Sequence, residues 1–218
     1  MTDVLVGIYG ASGFGREVLP LVREQLKGAS VEYVFVDDGD VPPVLNGYPV
    51  LCYDEFLSRE AGEKKMVFAI ANSVIREKLA EKCAKDGIRT LTVKANNTVI
   101  LDEVEMGEGA ILCHFTQLTS NICIGKYFHA NIYSYVAHDC VIGDYVTFAP
   151  SVRCNGNIVI EDHAYIGTGA VIKQGAPEKP LIIGKGAVVG MGAVVTKDVP
   201  PGVTVVGNPA KVFEARRS

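Results

Sequence analysis

From Ile100 onward the chain repeats in sixes. Apolar residues stand at Ile100, Met106, Leu112, Leu118, Ile124, Ala130, Val136, Ile142, Phe148, Cys154, Ile160, Ile166 and Ile172. With about half of all positions apolar, such an unbroken series arises by chance with odds on the order of one in thousands. The phase slips at Ala176-Pro177-Glu178-Lys179-Pro180 and returns at Ile183, Val189 and Val195. Gly often follows the apolar residue, as in Ile124-Gly125 and Ile166-Gly167. Four places after the apolar residue comes a small or β-branched one, such as Ala110, Ser134, Val146 or Ala170. A period of six fits neither the helix nor the simple strand. It is the signature of a parallel β-helix in which each hexad gives a short strand and a turn. The apolar start and the small residue are predicted to point inward, with Gly and polar residues at the corners. A β-sandwich with regular turns is the competing reading. The slip reads as a protruding loop, either a tolerated surface excursion or a lid.

Residues 1–95 follow another rule. Val4 to Tyr9, Tyr33 to Val36, Met66 to Ala71 and Ile88 to Val93 read as strands. Between them, Glu17 to Leu26 carries apolar residues at 18, 19, 22 and 26, and Val74 to Cys83 is the second helical stretch. Pro20 predicts a kink or a late helix start. Strands alternating with helices imply a parallel sheet with crossovers, a Rossmann-like βαβαβ layout. Two domains are therefore expected, 1–95 and 96–218.

Composition narrows the class. Of 218 residues 48% are hydrophobic and 21% charged, which excludes global disorder. A net charge of −4 argues against nucleic acid or an anionic membrane as partner, since both need a basic field. No apolar run approaches the roughly 20 residues of a membrane span, and Met1-Thr2-Asp3-Val4 shows no signal-peptide pattern. Six Cys without a C-x-x-C pair read as reduced thiols in a cytoplasmic protein.

Two places carry candidate chemistry. Gly10-Ala11-Ser12-Gly13-Phe14-Gly15 follows the first strand and opens the first helix. Gly permits close backbone approach there, and helix-start N–H groups favour phosphate. The spacing G-x-x-G-x-G is not the dinucleotide fingerprint. Asp37 and Asp38 end the second strand, placed to accept from ribose hydroxyls or base N–H groups. Ala71-Asn72 ends the third strand, which the sheet topology brings beside the Gly turn. Arg76 follows, either for a phosphate or in a surface salt bridge.

The second place is in the repeats. None of His114, His129, His138 and His163 pairs at metal spacing, so no metal is expected within one segment. His138 falls two places after an inward Val and should leave the solenoid at a corner, with Asp139 adjoining. A carboxylate beside an imidazole raises its basicity and fixes its tautomer, and such a group is a suitable base at cellular pH.

These residues resemble the hexapeptide-repeat acyltransferases and, within them, the sugar N-acetyltransferases exemplified by PglD and the GDP-perosamine N-acetyltransferases. The matching pieces are Tyr9-Gly10-Ala11-Ser12-Gly13, Phe35-Val36-Asp37-Asp38, Ala69-Ile70-Ala71-Asn72 with Arg76, Asn131 with His138-Asp139-Cys140-Val141-Ile142-Gly143, Cys154-Asn155-Gly156 and Gly207-Asn208-Pro209-Ala210-Lys211. The resemblance implies a left-handed β-helix, a homotrimer, and acetyl-CoA lying between β-helices. It implies His138 as the base enhanced by Asp139. It assigns a nucleotide-linked amino sugar to Ser12, Gly13, Phe14, Asp37, Asp38, Ala71, Asn72 and Asn131. It assigns acetyl-CoA to Thr147, Gly156, Thr168, Met191 and Gly192. The PglD pattern has a second His where Thr147 stands and Glu where Asp139 stands. The expected activity is acetyl transfer to the 4-amino group of a nucleotide-linked 4-amino-4,6-dideoxy sugar, GDP-perosamine first, for a surface glycan such as O-antigen. UDP- or dTDP-linked amino sugars, a sialic-acid-type O-acetyltransferase, and a non-catalytic nucleotide-sugar-binding scaffold are the alternatives. Lys211, Arg216 and Arg217 are candidates for CoA phosphates or a solvated basic tail.

Overall fold

The N-terminal part forms one sheet in which Val44–Leu45, Tyr48–Leu51, Val31–Val36, Val4–Tyr9, Glu63–Phe68 and Arg89–Thr90 lie side by side in that order. The elements are β1 (Val4–Tyr9), α1 (Gly13–Gln25), β2 (Val31–Val36), β3 (Val44–Leu45), β4 (Tyr48–Leu51), α2 (Tyr53–Ser58), β5 (Glu63–Phe68), α3 (Ser73–Lys85) and β6 (Arg89–Thr90). The computed structural model describes residues 3–214, and the chain divides into two units, Met1–Asn96 and Asn97–Ser218. In the first unit β1 is central and parallel to both β2 and β5. Its Leu5, Val6 and Ile8 are fully buried, as expected of a strand covered on both faces. The chain leaves β1 to one side for β2 and returns on the other as β5. That reversal opens a crevice at the carboxyl end of β1.

Three expectations need correction here. α1 begins at Gly13 and runs through Pro20. Pro20 lies on the solvent side, where its missing N–H leaves only the Arg16 carbonyl without a helical partner. β5 begins at Glu63, three residues earlier than its apolar run. Its charged start is held by Glu63 ion pairs to Lys65 and Arg89, each at 3.1 Å. The expected fourth strand is two short pieces, Arg89–Thr90 and Val93–Lys94. The hairpin β3–β4 was not foreseen, although Asn46-Gly47 supplies the two positive-φ residues (51° and 82°) of a tight turn.

In the second unit the hexads wind into three parallel sheets. Each strand pairs with the one three hexads on: Gln117 with Tyr135, Tyr135 with Arg153, and Arg153 with Val171. Three hexads therefore make one coil of a parallel β-helix. The first face contains Ile111–Leu112, His129–Ala130, Thr147–Phe148 and Tyr165–Ile166. The second contains Gln117–Leu118, Tyr135–Val136, Arg153–Cys154 and Val171–Ile172. The third contains Ile122–Ile124, Cys140–Ile142 and Ile158–Ile160. Past the phase slip Val171 pairs with Val194, so residues 176–180 are looped out and the faces stay aligned.

The inward positions are those predicted. Leu112, Leu118, Phe148, Ile160 and Ile166 are fully buried with the companions Ala110, Ser134, Val146 and Ala170. Ser134 is satisfied there, donating to the Ala149 carbonyl at 3.0 Å and accepting from the Val152 N–H at 3.1 Å. The corners differ from expectation. The left-handed residue comes three places after most apolar starts and is often not Gly: Asn121, Tyr127, Tyr133, Asp139, Tyr145, Ser151, Asn157 and His163 have φ between 54° and 61°, whereas Gly109, Gly169, Gly186 and Gly192 take the place elsewhere. The Gly after the apolar start serves close approach between coils. A Cβ on Gly143 would lie 2.6 Å from the Asp162 nitrogen one coil on.

Candidate active site

At the crevice, Gly10 and Gly15 are needed for backbone packing. Gly10 has φ +109°, and a Cβ on Gly15 would fall 1.9 Å from the Gly10 carbonyl oxygen. Ser12 and Gly13 are exposed, and the Ser12 hydroxyl makes no capping bond. The first amides of α1 and this hydroxyl form an open edge of hydrogen-bond donors, and helix starts of this kind favour anions. Phe14 is half-buried beside them. Asp37 meets the turn directly: one carboxylate oxygen accepts from the Ala11 N–H at 2.9 Å, the other from the Gly39 N–H at 3.0 Å. Asp38 is bonded within the unit, to the Tyr9 hydroxyl at 2.5 Å and the Tyr53 N–H at 2.8 Å. Burial pushes the Asp38 carboxyl upward, but these bonds and the Lys82 charge outweigh it and hold it below its usual range. Burial, reinforced by Asp38, raises the Tyr9 phenol.

Across the crevice, the Asn72 side chain caps α3, accepting from the Val74 and Ile75 N–H groups at 3.1 Å each. Ala71 precedes it and is exposed. Arg76 is not at the surface. It is fully buried and donates to the carbonyls of Ile70 (2.7 Å) and Ala71 (3.3 Å), fixing the loop after β5.

In the solenoid, strand Tyr135–Val136 ends and Ala137, His138 and Asp139 turn the corner between the second and third faces. Asp139 sits at φ 58°, a conformation that Asp tolerates better than most residues. Its carboxylate lies 2.7 Å from His138 Nδ1. That contact places the proton on Nδ1 and leaves Nε2 as the acceptor. The imidazole is 48% exposed, and its inner side rests on Gly156, one coil on. A Cβ at 156 would be 2.5 Å from the ring Cε1 and 2.6 Å from Nε2. Asn121, one coil back at the same corner, donates to the other Asp139 oxygen at 3.4 Å. Below, Tyr135 donates to the Asn155 side chain at 2.9 Å, Asn155 donates to the Ile172 carbonyl at 2.7 Å, and Cys140 Sγ donates to the Asn155 carbonyl at 3.1 Å. Asn121 and Tyr135 went unread in the sequence, and Asn155 entered only within the Cys154-Asn155-Gly156 match. The coil repeat would have found Asn121 and Asn155, because residues three hexads apart are neighbours.

The other expected residues lie elsewhere. Asn131 accepts from its neighbour Ile132 N–H at 2.9 Å, at the corner between the first and second faces. Thr147 is buried on the first face, in register with His129 and Tyr165. Thr168 and Met191 occupy equivalent places in successive coils at the first-to-second corner, where the Gly192 N–H donates to the Thr168 carbonyl at 2.8 Å. Met191 is 81% exposed. One chain thus puts Thr168 and Met191 on a different corner from His138. Of the remaining histidines, His114 bonds Asn97 at 2.9 Å, His129 is buried, and His163 stacks on Tyr145 at 5.3 Å. Lys211 is exposed, while Arg216 and Arg217 lie outside the described residues.

Residues 6–83 match the PglD N-terminal domain. GDP-perosamine N-acetyltransferase of Escherichia coli O157:H7 is 52% identical over 217 residues, covering 98% of this chain and 97% of that one. WeeI from Acinetobacter baumannii AYE superposes with a TM-score of 0.95 at 69% identity, over 97% of this chain and 100% of that one. PerB from Caulobacter crescentus, in complex with CoA and GDP-perosamine, superposes with a TM-score of 0.84 at 26% identity, over 96% and 97% of the two chains. With a corner His–carboxylate pair on the β-helix, an open helix start in the first unit, and this likeness along nearly its whole length, the chain belongs to the family of nucleotide-sugar N-acetyltransferases that includes GDP-perosamine N-acetyltransferase.

Proposed function

We propose that this enzyme transfers the acetyl group of acetyl-CoA to the 4-amino group of a nucleotide-linked 4-amino-4,6-dideoxyhexose, with GDP-perosamine as first substrate. The observation that carries the reading is the half-exposed His138 ring, bonded to Asp139 at 2.7 Å and seated on Gly156. With Nδ1 protonated, Nε2 takes a proton from the sugar amine as the nitrogen attacks the thioester carbonyl. Asp139 stabilises the imidazolium so formed. The tetrahedral oxyanion collapses, the carbon–sulfur bond breaks, and the imidazolium proton is available to the leaving CoA thiolate. A positioned base contributes typically 10²–10⁴-fold.

The first unit, Rossmann-like in this reading, holds the nucleotide diphosphate at the amides of Ser12, Gly13 and Phe14. Asp37, Asp38, Ala71 and Asn72 frame the nucleoside, and Asn131 is assigned to the sugar. The solenoid is left-handed and assembles as a homotrimer. Trimerisation brings the Thr168–Met191 corner of one protomer toward the His138 corner of the next, so that Thr147, Gly156, Thr168, Met191 and Gly192 flank acetyl-CoA from two chains. The enzyme works in the cytoplasm, supplying an N-acetylated sugar for a surface glycan such as O-antigen.

The test is incubation with acetyl-CoA and GDP-, UDP- or dTDP-linked 4-amino-4,6-dideoxyhexoses, following CoA thiol release. GDP-perosamine should give the highest kcat/KM. Release only with a sugar hydroxyl acceptor would turn the assignment to O-acetylation, and binding without thiol release would leave a scaffold.

A further inference from the structure

Residues 173–176, 179–181 and 196–198 line an open cavity of about 550 Å³ where the looped-out residues leave the coil. Three lysines line it: Lys173, Lys179 and Lys197. All three are exposed, and none is in an ion pair among the described residues. The carboxylate in the wall, Asp198, accepts from the Ile182 N–H at 3.0 Å. Three lysines against Asp198 and the loop's Glu178, which does not line the cavity, leave a net positive charge around the concavity, a local field that attracts an anion.

The register ties this cavity to His138. Gly156 follows His138 by one coil, and the Gly175 N–H bonds the Gly156 carbonyl at 3.0 Å. The Lys173 N–H bonds the Val195 carbonyl at 2.8 Å, which sets Lys197 one coil beyond Gln174. Lys197 thus stands three coils along the same corner as His138, about 14 Å away at the usual strand spacing. A pantetheine arm has the length of roughly four residues of extended chain, again about 14 Å. A thioester at His138 whose arm follows this corner delivers its phosphates to the three lysines.

Resting on the acetyl-CoA reading, we propose that Lys173, Lys179 and Lys197 form the subsite for the phosphates of the adenosine 3′,5′-bisphosphate end of coenzyme A, and that the 176–180 loop exists to wall it.

The test compares wild type with the Lys173→Gln, Lys179→Gln, Lys197→Gln triple variant, all at exposed positions. The donors are acetyl-CoA and S-acetylpantetheine, which lacks those phosphates. Expected is a rise of roughly 10- to 100-fold in KM for acetyl-CoA, as for charged contacts partly screened by solvent. The kcat at saturation should stay within about twofold, and S-acetylpantetheine parameters should not move. Adenosine 3′,5′-bisphosphate should compete with acetyl-CoA and lose potency on the triple variant. Inorganic pyrophosphate competing equally well would show a generic anion site and overturn the assignment. An unchanged acetyl-CoA KM, or an equal rise for both donors, overturns it as well. If wild type transfers from neither donor, the functional reading fails on its own. Calorimetric titration with adenosine 3′,5′-bisphosphate then decides the subsite: no binding, or equal binding by both proteins, refutes it.

Discussion

Substituting Gly156 by Ala isolates the seat of the imidazole. Gly156 is not among the positive-φ residues, so Ala adopts its backbone without strain. The added Cβ would lie 2.5 Å from Cε1, 2.6 Å from Nε2 and 2.9 Å from Nδ1 of His138. Ordinary carbon contacts begin near 3.5 Å, so the ring must withdraw by about 1 Å. Solvent surrounds its outer side, so it yields cheaply, and the stability loss should stay within about 1 kcal/mol. The 2.7 Å contact to Asp139 cannot survive such a shift unaltered. A displacement of about 1 Å at a reacting group costs on the order of 10² in rate. Gly156→Ala should therefore lower kcat by about 10²-fold while KM for the nucleotide sugar changes little. The assay is a double-mutant cycle with His138→Ala. If Gly156 acts through the ring, the double variant is no slower than His138→Ala alone. Independent, multiplying losses would refute the reasoning, as would wild-type kcat in Gly156→Ala.

Three further outcomes are expected. His138→Ala should fold normally and lose 10²–10⁴-fold in kcat with smaller changes in substrate binding; because hydroxide and free amine both rise with pH, part of the loss should return in alkaline buffer, and a pH–rate profile parallel to wild type would exclude a base role. Asp37→Ala removes the acceptor of the Ala11 N–H and should weaken nucleotide-sugar binding while leaving acetyl-CoA affinity nearly unchanged; calorimetry showing equal loss of both would mean the two ligands do not occupy separate places. Light scattering at micromolar concentration should give the mass of a trimer, and a monomer would remove the shared acetyl-CoA site.

The solenoid was legible because its rule is one-dimensional. Apolar residues every sixth position, with small residues four places on, fix which side chains point inward, and Leu112, Phe148 and Ile166 obey. The corner position of His138 followed from the same count. What the count did not contain was proximity across coils: Gly156 under the ring and Asn121 beside Asp139 are neighbours only through the three-hexad pairing. In the first unit the crevice was legible from the Gly turn and the acids after β2. The split between those acids was not. Asp37 and Asp38 are chemically identical, and only the path of the backbone as it leaves β2 sends one toward the Ala11 N–H and the other toward Tyr9 and Tyr53. Arg76 misled because a charged residue on a helix is usually solvated; here two carbonyls after β5 draw it inside.

The looped-out residues 176–180 have an evolutionary consequence. Strands before and after them remain paired face to face, Val171 with Val194 and Tyr165 with Val188. The solenoid thus behaves like a reading frame with a short period. Length inserted at a corner is extruded, and the frame resumes unchanged. One residue lost inside a strand would send the next apolar side chain outward, because side chains alternate along a strand. Drift in length among descendants of such a chain is therefore channelled into corners. The corners also hold His138 and the lysine-lined cavity. New substrate contacts can be tried there by insertion, coil by coil, without renegotiating the core.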